Sequence, residues 1–202
     1  MKTKNFLIGK NSKIDKSVIL GEKTGRKIKI SKTIIGKDAR VRSNTVIYSN
    51  TKIGDGLETG HNVVIREQNK IGNNLSIWNN STIDYGCEIG NNVKIHANTY
   101  VAQFTVIEDD VFLAPGVMIA NDPHPICTKC MKGPLIKKGA RIGVNVTLLP
   151  NIVIGENSLV GAGSVVTKDV AANVVVFGSP AKVGGRIKDL KCKARIKDRA
   201  YE

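Results

Sequence analysis

At 202 residues with 4% aromatics and 20 glycines, the chain can build one domain with a sizeable core, but that core must be filled by Ile and Val. A net charge of +14 spread along the chain, with aromatics too scarce for base stacking, argues against nucleic acid and suits phosphorylated small molecules. No run approaches the roughly 20 apolar residues of a membrane helix and the N-terminal stretch holds no signal-peptide core, so a soluble cytoplasmic protein is expected.

From the N-terminus, Ile8, Ile14 and Leu20 set a step of six. From Ile35 the step runs unbroken through Val41, Ile47, Ile53, Thr59, Ile65 and Ile71 and on to Ile119, and only Thr59 is not aliphatic. It resumes at Ile136, Ile142, Leu148, Ile154, Val160 and Val166. A period of six is neither the 3.6 of a helix nor a long alternation. It describes a short strand and a tight corner, repeated. Four residues after each aliphatic stands a small or β-branched residue, as at Ala39, Thr45, Val63, Ser81 and Thr99, which fits a narrow prism with one large and one small inward side chain. Three residues after it stands Asn, Asp or Gly, as at Asp38, Asn44, Gly56, Asn62 and Asn80, the types that tolerate the positive φ of a sharp corner. Three sides make an 18-residue coil. About eight such coils, stacked about 4.8 Å apart, pair every backbone group with the coil above or below. The fold expected is an all-β parallel β-helix over residues 1–181.

The coil length lets columns be read. His96 follows Trp78 by one coil, so the two stack on the outer surface, as a ligand wall or a subunit contact. Asn44, Asn62, Asn80 and Asn98 form a corner column suited to a side-chain ladder. Between Ile119 and Ile136 the step fails by eleven residues, so residues 120–135 must be ejected as a loop. Long loops in compact repeats are often functional. This one carries Asn121, Asp122, His124, Cys127 and Cys130, with Pro123 and Pro125 stiffening the backbone around the histidine. After Lys182 the step is lost, and the basic tail 182–202 is expected to form a short helix that caps the open end.

Residues 142–170, IGVNVTLLPNIVIGENSLVGAGSVVTKDV, and GSPAK at 178–182 resemble the closing coils of hexapeptide-repeat acyltransferases. LAPGVMIANDPHP at 113–125 resembles the part of maltose- and galactoside-type acetyltransferases that carries their catalytic histidine, and His124 falls on it. The resemblance implies a left-handed β-helix, a homotrimer and acetyl-CoA bound between subunits. The CTKCMKGP stretch departs from the maltose-type enzymes, which shifts the implied acceptor from a simple sugar to a nucleotide-linked amino sugar. For the coenzyme, Gly143, Gly161, Ala162 and Ser164 offer small residues beside a long amide-bearing arm, and Lys168 matches the family's basic residue near the coenzyme phosphates.

Acetyl transfer needs a base, a polarised thioester carbonyl and fixed orientation. A neutral imidazole serves as the base near pH 7. His124 is the first candidate and His96 the second, with His61 the remaining histidine. Asp122 and Glu108 are carboxylates that could orient a ring, a backbone N–H would meet the oxyanion, and Trp78, Asn98, Asn121 and Asp122 are candidates for the acceptor site. The chemistry requires no metal. His124-x2-Cys127-x2-Cys130 nonetheless has zinc-ligand spacing, and a zinc-bound His124 could not act as a base. The otherwise reduced cysteines are those of an intracellular chain. Two other uses of the scaffold are a metal-dependent hydratase, which needs three converging histidines, and a non-catalytic assembly subunit.

Overall fold

The computed structural model describes residues 5–201, and it is a parallel β-helix. Three sheets form the faces of a prism. Face one begins with Phe6–Ile8, face two with Lys13–Ile14 and face three with Ile19–Glu22. Faces one and three have eight strands each and face two has ten. Through the body, partners lie 18 residues apart and in parallel, as in Ile53 with Ile71, Ile77 with Ile95, and Ile83 with Val101. Eight coils therefore stack, as the six-step requires.

The six-step aliphatic of most strands points inward; Ile47, Ile65, Ile77, Ile95, Leu113, Ile142 and Leu148 are fully buried. The small residues four positions on are also inside, including Ala39, Thr45, Ser81, Thr105 and Ser164. Thr59, the exception in the aliphatic row, is buried with its hydroxyl accepting the Arg42 amide at 3.0 Å. Each corner residue named above has a φ between +53° and +71°. For a residue with a Cβ that conformation costs roughly 1–2 kcal/mol. Asn offsets it: Asn62 Nδ2 donates to Asn80 Oδ1 at 3.1 Å, and Asn80 donates to Asn98 in turn.

Two insertions leave the prism, and both leave from the corner between face three and face one. Ile107 pairs with Ile136 across the expected loop, which occupies residues 120–134. The other insertion is residues 23–32, where Ile8 pairs with Ile35 instead of a residue 18 further on. With only three aliphatics before it, the first interruption has too short a register to stand out.

The tail corrects an expectation. Val174–Gly178 pairs in parallel with Leu159–Val160, and Ala181–Arg186 returns antiparallel to extend face two, so the boundary at 181/182 falls within a hairpin. Among the described residues, only Ile187–Asp189 is helical, as a single 3-10 turn. Beyond it the chain folds back, and Tyr201 lies over Arg141 on the side of the prism. The hairpin supplies paired backbone at the last coil, so a helix is not needed there.

Candidate functional site

The corner that ejects both insertions carries a buried polar network. After Ile65 and Ile83 the next residues are Arg66 and Asp84, one coil apart, and Arg66 Nη1 stands 3.2 Å from Asp84 Oδ1. Tyr100 donates its hydroxyl to Asp84 Oδ2 at 2.8 Å, and the Gln103 side-chain amide donates to the same oxygen. Burial, and then the Asp84 carboxylate, push the Tyr100 phenol above its ordinary value, so it stays a donor. Glu67 has a fully buried side chain that accepts from Thr24 at 2.8 Å and pairs with Arg26 at 3.3 Å and Arg66 at 3.0 Å. Burial works to raise the Glu67 pKa, but its own backbone amide, the Thr24 hydroxyl and Arg66 outweigh that, and the net shift is downward. Arg26 also sits 3.7 Å from the centroid of Tyr85. The first insertion is thereby fastened to the network.

The second insertion joins it from the other side. Asn121 Nδ2 donates to Gln103 Oε1 at 2.7 Å, and the Asn121 carbonyl accepts the Lys132 amide at 2.7 Å, closing the loop's neck. Gly133 completes that neck because a Cβ there would lie 2.7 Å or less from Thr105. Beyond the neck, Asp122 accepts the His124 amide on Oδ1 at 2.9 Å and the Cys127 amide on Oδ2 at 3.0 Å. Both carboxylate oxygens thus shape the backbone, and neither orients the imidazole as expected. Glu108 is likewise committed, to the Lys138 amide at 2.9 Å. His124 is exposed, and Ile126 beside it is 96% exposed.

His96 lies elsewhere. Register puts Trp78, His96, Ala114, Gly143, Gly161 and Phe177 in one outward column of face two. His96 is half-buried against Phe112, with ring centroids 5.0 Å apart, and Arg42 lies over Trp78 at 5.6 Å. Above His96 the column has almost no side chains, so a smooth strip rises to Phe177. Gly161 is required there, because a Cβ would come within 2.8 Å of Phe177. The amides of Gly143 and Gly161 are already used by the coil ladder, at 2.9 and 2.7 Å. These two residues therefore offer space and not donors. Ser164 is buried, donates to the Gly161 carbonyl at 2.7 Å and accepts from Gly178, so it faces away from any ligand. Ala162 and Lys168 are exposed. Asn98 is exposed at the end of its ladder, and His61 is held by Ser43 Oγ at 2.6 Å.

The three histidines are therefore spread over face two and the opposite corner. Among the described residues, no group of three His, Cys, Asp or Glu side chains could hold a metal, His124, Cys127 and Cys130 included. The network was missed at the level of sequence, although opposite charges exactly one coil apart, Arg66 and Asp84, were its signal.

These features define a hexapeptide-repeat solenoid with one ejected, histidine-bearing loop. The bacterial transferase hexapeptide (six repeats) family matches residues 32–67, 70–103 and 133–168, just over half of the chain, and the chain belongs to that family. The galactoside O-acetyltransferase of Escherichia coli is 38% identical over 112 residues, covering 52% of this chain and 55% of that protein. The dTDP-3-amino-3,6-dideoxy-alpha-D-galactopyranose 3-N-acetyltransferase of Aneurinibacillus thermoaerophilus is 40% identical over 63 residues, covering 31% of this chain and 32% of that protein. The chain thus spans about half or less of the length of these curated relatives. In fold it is similar to the polySia specific acetyltransferase NeuO, with a TM-score of 0.54, 22% identity, and coverage of 90% of this chain and 87% of that one. Among the described residues, no helix is long and apolar enough to cross a membrane.

Proposed function

We propose that the protein transfers an acetyl group from acetyl-CoA to an amino or hydroxyl group of a sugar, most suitably a nucleotide-linked amino sugar. The observation that carries this reading is the exposed His124 on a loop whose neck is pinned to the buried corner network. Family membership and the sugar acetyltransferases among the relatives support it.

In this mechanism the acceptor nitrogen or oxygen attacks the thioester carbonyl, and the His124 imidazole takes its proton. The tetrahedral intermediate collapses, the C–S bond breaks, and the imidazolium returns the proton to the departing thiolate. Gly143 and Gly161, above the buried Ala114, offer space to the pantetheine arm. His124 leaves a different side of the prism from that strip, so a complete site needs the loop of one subunit on face two of the next. A homotrimer satisfies this, and the exposed Ile126 at the loop tip is suited to such a contact. His96, at the foot of the strip, is the second candidate for the base.

The reading is tested by calorimetric titration of the protein with acetyl-CoA, followed by mass spectrometry of acceptors drawn from galactosides and nucleotide-linked amino sugars. Coenzyme binding with one acetylated acceptor is expected. No coenzyme binding, or binding with no acetylated acceptor of either kind, overturns it.

A further inference from the structure

The ejected loop carries chemistry that the proposed acetyl transfer does not use, the thiols of Cys127 and Cys130. Their spacing suits zinc, but among the described residues no third ligand joins them. A turn brings the two together. The Cys127 amide donates to the His124 carbonyl at 2.7 Å, and the Cys130 amide donates to the Cys127 carbonyl at 3.3 Å. The two Sγ atoms lie 2.9 Å apart, with Cys130 exposed and Cys127 half-buried. Of the other cysteines, Cys87 is buried in the prism and Cys192 belongs to the tail.

Two adjacent thiols without a third ligand have one chemistry that asks nothing more of the protein, exchange with a disulfide. It needs one accessible thiolate as nucleophile and a second thiol within reach of it. The Cys130 thiol, and after it the Lys129 amide, hold the Cys127 thiol below its ordinary value, while the same contact raises Cys130. Cys127 is therefore the attacking sulfur and Cys130 the resolving one. The placement matters as well. Asp122 accepts the His124 amide at 2.9 Å and the Cys127 amide at 3.0 Å, so the histidine and the attacking cysteine share one carboxylate. A change of bonding at Cys127 thus reaches the His124 backbone by two routes, through Asp122 and through the turn.

We propose that Cys127 and Cys130 form a reversible redox-modification site on the His124 loop, with a low-molecular-weight disulfide as the oxidant. The Cys127 thiolate attacks one sulfur of that disulfide. A mixed disulfide forms as the old S–S bond breaks, and the first thiolate leaves. Cys130 then gives up its proton and attacks Cys127 Sγ, and the second thiolate leaves. Two protein thiols are oxidised to one disulfide, the reagent is reduced to two thiols, and the two protons pass to the departing thiolates. Excess thiol reverses both steps. The closed ring restrains the segment that carries His124, and only the consequence for acetyl transfer rests on the function proposed above.

The test incubates the folded full chain with oxidised glutathione and maps the cysteines by mass spectrometry after alkylation. In the wild type a Cys127–Cys130 disulfide is expected, and dithiothreitol should reverse it. Cys130→Ser should stop at the mixed disulfide of glutathione with Cys127, and Cys127→Ser should take up glutathione on Cys130 more slowly. Hydrogen exchange over residues 121–130 should slow by about tenfold in the oxidised wild type, because the cross-link removes freedom from the opened loop. No intramolecular disulfide in the wild type, a bridge to Cys192 in its place, or equal rates in the two variants overturns the inference. Unchanged hydrogen exchange overturns the link to His124. Each readout is taken without acetyl transfer, so failure of either proposal leaves the other standing.

Discussion

The Asn121 side chain donates to Gln103 Oε1 at 2.7 Å, and through the Gln103 side chain the neck of the His124 loop is joined to Asp84. Asp84 continues to Arg66, and Arg66 to Glu67, which holds Arg26 of the other insertion. Two segments about a hundred residues apart in sequence are thus referenced to one rigid corner. A general base must be held near its productive position, and small misplacements are costly.

Asn121→Ala should therefore act on catalysis more than on stability. It removes one hydrogen bond, worth about 1 kcal/mol. The expected kinetic effect is a fall in kcat of about tenfold with KM for acetyl-CoA little changed, because the loop loses its tether and not its base. Tryptic cleavage after Lys129 or Lys132 should quicken at the same time. An unchanged kcat would remove the positioning role from this contact.

Glu67 should make folding pH-dependent in acid. Its carboxyl is held below the ordinary 4.5 in the folded state, so the unfolded chain binds that proton more readily. The stability it contributes is fully present above pH 4.5 and is lost as pH falls through the lower folded value. Glu67→Gln should remove this component and flatten the melting temperature against pH below 4.5. Glu67→Ala leaves Arg26 and Arg66 facing each other and should cost about 2–3 kcal/mol, less than the roughly 3–5 kcal/mol of a fully buried pair because both arginines reach solvent. Thermal melts in a series of acid buffers measure both.

The cysteines should separate cleanly under alkylation. Burial pushes the Cys87 thiol up to about 12, so it should resist iodoacetamide until the chain unfolds. Cys127 is held below its ordinary value, chiefly by the Cys130 thiol 2.9 Å away, and lies on the ejected loop. It should be labelled early at neutral pH. Peptide mapping of a time course distinguishes the two; early labelling of Cys87 would contradict its place inside the prism.

At the corners, Asn80→Gly should be nearly neutral and Asn80→Ala destabilising by about 1–2 kcal/mol, since only the latter places an ordinary Cβ at a φ of 58°. Denaturant unfolding of the two variants measures the difference.

The coils, corners and main loop were legible because each is a property of one periodic position. A six-step in aliphatics specifies what faces inward, and Asn three positions on specifies the turn. The site was less legible, for physical reasons. Gly143 and Ser164 looked alike as small residues near a ligand, yet one lines the surface strip and the other is sealed by Gly161 and Gly178. Asp122 looked like a partner for an imidazole, but backbone amides two and five residues on reach it first. The tail has no period, and its course depends on Tyr201 meeting Arg141 sixty residues earlier.

The most direct test of the account is thiol release from acetyl-CoA, followed for wild type, His124→Ala and His96→Ala against nucleotide-linked amino sugars. Acceptor-dependent release is expected in the wild type, with kcat reduced by about a hundredfold or more in His124→Ala, the range for loss of a general base, and a smaller loss in His96→Ala. Full turnover in His124→Ala would contradict the assignment of the base, and no acceptor-dependent release in the wild type would contradict acetyl transfer itself.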